Sequence, residues 1–246
     1  MEVATLALAG CGTALACGLG AIPVWMLGER TEQLRPALWG LTVGLMGVAS
    51  VVGLLLPALD EGPTQTVLLG TVTGVAFLLA SRRLLQGRDV HVGSLSGAGV
   101  RRSVLVFGVL LVHSLPEGLA IGTAYASETV GLGLFVILAI ALQNVPEGTS
   151  VAIPMAAAGF TRRQQFWAAV GTSAPQPVGA LVAYFLVREV QALLAFSFSF
   201  AAGAMLSLVI VELAPQAFRA GHMASAAMGA AAGAAAMLLL AALLGV

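Results

Sequence analysis

Residues 104–126 read VLVFGVLLVHSLPEGLAIGTAYA, and residues 132–157 read LGLFVILAIALQNVPEGTSVAIPMAA. Each run is long and apolar enough to cross a bilayer as a helix, for which about 20 residues are needed. Each is interrupted in the same way. The first carries His113-Ser114-Leu115-Pro116-Glu117-Gly118 and the second Gln143-Asn144-Val145-Pro146-Glu147-Gly148. The order polar, polar, aliphatic, Pro, Glu, Gly thus returns after 30 residues. An all-α, polytopic membrane protein is the fold class this pattern predicts.

Working outward, six further stretches have the same character. The expected spans are 1 (about 3–27), 2 (37–59), 3 (65–86), 4 (101–126), 5 (129–158), 6 (163–187), 7 (191–215) and 8 (223–245). Of the 246 residues, 59% are hydrophobic and 9% charged, against about 25% charged in an ordinary soluble domain. The mean hydropathy of +0.99 is too high for a soluble surface. The formal net charge is zero, which speaks against a nucleic-acid partner and leaves the lipid bilayer as the surroundings. The first run follows Glu2 rather than a basic segment and has the length of a span, so it reads as a retained helix, not a cleaved signal. Residues 1–246 read as one transmembrane domain. The longest connection, about 87–100 (GRDVHVGSLSGAG within it), is rich in Gly and Ser and is expected to be flexible. Cys11 and Cys17 lie six residues apart, off the same-face spacings of a helix, and read as small packing residues.

Arginine sets the expected orientation. All 11 basic residues are Arg. Ten of them (Arg30, Arg35, Arg82, Arg83, Arg88, Arg101, Arg102, Arg162, Arg163 and Arg219) fall in connections 1–2, 3–4, 5–6 and 7–8. Only Arg188 falls on the other side. By the positive-inside rule both termini face away from the cytoplasm, and loop 87–100 is cytoplasmic. Omitting or adding a span would destroy this alternation, so the same count supports eight.

The chemistry sits in the repeated motif. Glu117 follows Arg102 by 15 residues and Glu147 precedes Arg162 by 15. Both carboxylates therefore lie about 22 Å from the arginine level at about 1.5 Å rise per residue. Spans 4 and 5 run in opposite directions, an inverted relation whose members meet near the midplane, where transporter sites lie. His113 and Glu117 share a helix face, as do Gln143 and Glu147. Pro116 and Pro146 lack an N–H and leave the carbonyls of Val112 and Leu142 without their helical donors, with an expected kink. Gly118 and Gly148 admit a neighbouring helix. A carboxylate in hydrocarbon costs roughly 2.5–3.5 kcal/mol on insertion scales, and two at one depth repel. With no Lys and no Arg inside an apolar run, the counter-charge is a proton or a bound cation. One imidazole, two carboxylates and an amide carbonyl suit Zn²⁺, and also Fe²⁺, Mn²⁺, Co²⁺ or Cd²⁺, better than Cu⁺ or Mg²⁺. Packing of protonated glutamates is the plain alternative, and repetition at matched depth argues against it.

HSLPEGLAIG (113–122) and QNVPEGTSVAIP (143–154) resemble the paired signatures of the ZIP (Zrt-/Irt-like protein) metal transporters, particularly their GufA-like bacterial group. The resemblance covers the whole chain. It implies eight helices, divalent-metal transport toward the cytoplasm through a bacterial inner membrane, and His113, Glu117, Gln143 and Glu147 as metal ligands. It also implies that spans 1, 4, 5 and 6 move as a bundle against the rest. The metal is substrate, and no prosthetic group is implied. Many members have a second metal position built from an Asn, an Asp and a Glu. Here those positions are Ser114, Asn144 and Gln176, which neutralises two carboxylates and predicts a mononuclear site. Glu212 matches an acidic residue of the family near the end of span 7, while Val211 and Gln216 stand where two others would be. Met46 resembles a family position near the metal path.

Other residues carry less. Ser173 and Gln176 lie beside Pro175 and Pro177, where a kink is expected to line the pathway. Asp60 and Glu61 read as a solvated loop or as an attractor of cations at the outer mouth. His91 and His222 lie where released metal would arrive. Because His and Glu bind metal only when deprotonated, transport is expected to fall with falling pH. Small residues such as the Ala224–Ala236 run of span 8 are compatible with a homodimer. An intramembrane metalloenzyme is the first rival, but His113 is followed by Ser rather than the Glu of an HExxH motif. A transporter or channel for another solute, and a membrane scaffold, are the others.

Overall fold

Inside hydrocarbon a chain must satisfy its backbone hydrogen bonds internally, and helices do so within one segment. The computed structural model describes residues 2–28, 30–86, 98–219 and 221–246. Among them there is no strand, and eight helical segments are long and apolar enough to span a membrane. These are span 1 Val3–Leu27, span 2 Arg30–Glu61, span 3 Thr64–Leu84, span 4 Phe107–Ala126, span 5 Leu132–Ala157, span 6 Arg162–Glu189, span 7 Gln191–Ala217 and span 8 Met223–Leu244. The number eight and the all-α class stand as read from the sequence.

Boundaries differ where apolarity is the wrong guide. Span 2 starts at Arg30, earlier than the apolar run, because Arg, Glu and Gln are good helix formers and prolong the helix beyond its apolar part. The helix containing span 4 starts at Ala98, so the expected 87–100 connection ends three residues sooner. Residues 87–97, with His91, lie outside the described residues.

Four spans depart from a plain α-helix. Span 1 breaks at Gly20, between helices Glu2–Leu19 and Ala21–Leu27. Span 6 breaks between Arg162–Thr172 and Pro175–Glu189, at Ser173-Ala174. Spans 2 and 7 each contain one π-helical turn, Val51–Leu55 and Val209–Leu213. In both, a proline (Pro57, Pro215) follows the turn at the same offset. A proline withholds one backbone donor, and a widened turn is one way to re-satisfy the freed carbonyls. The prolines of the repeated motif behave differently. Pro116 lies inside one continuous helix and Pro146 inside another, so the chain breaks in spans 1 and 6, not at the motif itself.

Close backbone contacts at glycines tie the spans into pairs. A Cβ on Gly40 or Gly44 would collide with the carbonyls of Ala226 or Ala230, and one on Gly229 or Gly233 with those of Ala37 or Leu41, so spans 2 and 8 lie in backbone contact. Span 3 meets span 7 in the same way at Gly74 and Gly203. Span 4 meets span 6 at Gly118 and Gly122. The small-residue face of span 8 that contains Gly229 and Gly233 is thereby used inside the chain, which removes it as an argument for a dimer. Spans 1, 4, 5 and 6 pack on one another, and spans 2, 3, 7 and 8 form a second group. An apolar core containing Met46, Ile121, Phe135, Ile140, Phe198 and Met205 joins the two groups. Exposed leucines such as Leu8, Leu68, Leu69 and Leu239 cover the outside, as a lipid-facing surface requires.

Candidate metal centre

Three elements meet at the repeated motif. Span 4 supplies His113 and Glu117, one turn apart, and span 5 supplies Gln143 and Glu147 with the same offset. The broken end of span 6 supplies Gln176. All five side chains are buried, with His113, Glu117, Gln143 and Gln176 at 0% exposure and Glu147 at 4%. His113, Glu117 and Glu147 each offer a ligand atom, and these atoms lie within 4.8 Å of one another. His113 Nε2 is 3.4 Å from Glu117 Oε1.

Hydrogen bonds engage part of this group. Gln143 Nε2 donates to Glu117 Oε1 at 2.6 Å and Gln176 Nε2 donates to Glu117 Oε2 at 2.7 Å. Gln176 Nε2 also reaches Asn144 Oδ1 at 3.3 Å, and Asn144 Nδ2 donates to Gln176 Oε1 at 3.1 Å and to the Thr13 carbonyl at 2.7 Å. Thr13 Oγ1 donates to Gln176 Oε1 at 2.7 Å. Ser114 Oγ turns back onto the Leu110 carbonyl at 3.0 Å. The group also holds buried atoms with no hydrogen-bond partner: both ring nitrogens of His113, Gln143 Oε1 and Glu147 Oε1. Buried polar atoms are normally paired, and each unpaired one needs a reason. Here the unpaired ones belong to residues of one buried group, and an imidazole nitrogen, an amide oxygen and a carboxylate oxygen are all suitable ligands for a borderline divalent ion.

The sequence pattern explains why the helices close on this point. A Cβ on Gly148 would fall on the Cys17 carbonyl, and one on Gly118 on the backbone of Gln176. Glycine at these positions lets spans 1 and 6 lie against the motif helices. Thr149 Oγ1 donates to the Gly20 carbonyl at 2.8 Å where span 1 breaks. Sequence alone does not single out Thr13 or Thr149. A threonine in an apolar helix commonly bonds its own backbone, and only the tertiary contact reveals a second partner.

The remaining site residues lie elsewhere. Met46 is buried in the apolar core. Ser173 lies at the break of span 6, buried, its hydroxyl without a partner. Glu212 sits in the π-helical turn of span 7 and is held by Arg82 Nη2 at 3.1 Å and by Gln216 Nε2 at 2.8 Å. A cavity of about 800 Å³, lined by spans 2, 3, 4, 5 and 7 and by Arg219 of the following connection, runs from Glu147 to Arg35, Arg82 and Arg219. Glu147 is the one member of the ligand group that lines it. His222 is exposed in the 7–8 connection.

Eight apolar spans around a buried group of His and Glu side chains that could hold a metal ion define a helical membrane protein. The family model of the ZIP Zinc transporter matches residues 80–241. The chain is 33% identical over 225 residues to the zinc transporter GufA of Myxococcus xanthus, covering 87% of this chain and 89% of that protein. It is 32% identical over 259 residues to the zinc transporter ZIPB of Bordetella bronchiseptica, covering 98% and 81%. A putative zinc transporter of Arabidopsis thaliana is 34% identical over 221 residues, 89% of this chain but only 35% of that longer protein. The chain belongs to the ZIP zinc transporter family, a family of transporters and not of enzymes.

Proposed function

We propose that this protein carries a divalent transition metal, zinc foremost, through the membrane by way of the centre on spans 4 and 5. One observation carries the reading: His113, Glu117 and Glu147 bring a nitrogen and two carboxylates within 4.8 Å of one another in the interior. Gln143 completes the set. Its amide N–H holds Glu117 while its carbonyl oxygen stays open.

The centre holds a single ion on this reading. The atoms that would make a second position are engaged with each other. Gln176 supplies two N–H bonds, to Glu117 and Asn144, where a cation would otherwise sit. Ser114 is bonded to its own helix. The arginine split assigns the cavity side to the cytoplasm and both termini to the outside of a bacterial inner membrane, and flow runs inward. Spans 1, 4, 5 and 6 would then move against spans 2, 3, 7 and 8 to open the centre to each side in turn.

The test is zinc uptake into proteoliposomes. Glu117→Ala and Glu147→Ala, singly and together, abolish uptake, and His113→Ala weakens it or shifts the preference toward harder ions. Wild-type uptake by the double variant ends the reading.

A further inference from the structure

The cavity below Glu147 has an electrostatic problem as an exit for a bare cation. Apart from Glu147, its charged lining is Arg35, Arg82 and Arg219 against Glu32 and Glu212. Arg35 is paired with Glu32, and Arg82 with Glu212. Arg219 is exposed and has no ion-pair partner among the described residues. Both carboxylates are therefore already neutralised, and one guanidinium charge remains in excess. Trp39 also lines the cavity, beneath the Arg35 guanidinium at 5.5 Å, and its buried indole N–H has no hydrogen-bond partner. The donors outnumber the acceptors, and guanidinium forks match carboxylates in geometry. A volume of about 800 Å³ falls within the usual range of small-molecule sites, roughly 300–1,000 Å³.

We propose that this cavity is a binding site for a small soluble polycarboxylate, which pairs with Arg219 and Arg35 at the mouth and receives the metal from Glu147 as a chelate. The proposal rests on the metal-transport reading for its purpose, and on the cavity alone for its binding step. The anion supplies the negative charge that the mouth lacks. The metal then leaves as a neutral or anionic complex, past arginines that would repel the free ion. Glu212, held by Arg82 and Gln216, serves to place Arg82 rather than to bind metal.

Citrate is the probe. Zinc-free protein in phosphatidylcholine nanodiscs is titrated by calorimetry. The expected result is one saturable site per chain, weakened about fivefold by Arg219→Gln, the scale of one exposed charge pair. Arg219 is exposed, so this variant does not threaten the fold, and circular dichroism checks that. The titration uses zinc-free protein, so its outcome does not depend on the metal reading, which zinc uptake by the Glu117→Ala/Glu147→Ala variant tests separately. The assignment is overturned if wild type shows no saturable binding, or if Arg219→Gln binds equally well. Repeating the titration in nanodiscs containing phosphatidylglycerol identifies the source of the anion. Unchanged citrate binding supports a soluble ligand, and loss of binding shows that a lipid headgroup occupies the cavity and overturns it.

Discussion

Gln176 donates through one amide nitrogen to both Glu117 and Asn144, and accepts from Thr13 and Asn144 through its oxygen. No cation can approach Glu117 Oε2 from that side without displacing the amide. Replacing it by Gln176→Glu removes the two N–H bonds and sets a third carboxylate against Glu117. The expected outcome is a second bound ion per chain, read by titrating purified protein with Cd²⁺. An unchanged stoichiometry with intact fold would show that the amide is not what sets the number of ions bound. That His113, Glu117, Gln143 and Glu147 come together was legible because intramembrane charge is rare, and its return at matched depth on two helices points to one place in the fold. The partners of Gln176 were not. Nothing in GTALACG (12–18) distinguishes Thr13 from a packing residue until spans 1 and 6 are placed side by side.

At the scale of the element, two kinds of glycine should be separable by mutation. Gly148 has the Cys17 carbonyl where its Cβ would be, whereas Gly47 has nothing within 4 Å. Gly148→Ala forces span 1 away from the ligand helix. It should cost about 1–3 kcal/mol, the range for overpacking, and reduce zinc uptake. Gly47→Ala should leave stability unchanged or raise it by up to about 1 kcal/mol through helix propensity. Thermal unfolding in detergent measures both. Equal effects of the two would mean that the approach of span 1 to span 5 is not tight. Hydropathy reports length and apolarity, so it located the eight spans. It is blind to where a helix breaks or widens. The break at Ser173-Ala174 lies where Pro175 and Pro177 led a kink to be expected, and the helix after it starts at Pro175, whereas the break at Gly20 was not foreseen; Pro57 and Pro215 follow the widened turns of spans 2 and 7.

At the scale of the molecule, the cavity lies at the end that carries Arg35, Arg82 and Arg219. The arginine count is the ground for proposing that this end faces the cytoplasm, while the cavity makes it the end from which Glu147 is reached. The cavity was not legible beforehand, because its lining comes from spans 2, 3, 4, 5 and 7, with Arg219 from the following connection, and no local pattern couples them. Ser150 lines it, three residues beyond Glu147. In a background lacking Cys11 and Cys17, Ser150→Cys should react with a membrane-impermeant thiol reagent in inside-out vesicles and resist it in right-side-out vesicles. Zinc should slow the reaction if the ion at the centre hinders the cavity floor. Reaction from the outside alone would reverse the orientation of the chain, and with it the inward direction of transport. Reaction from both sides at comparable rates would mean that the two groups of spans exchange between openings without metal, which alternating access through a single buried centre permits.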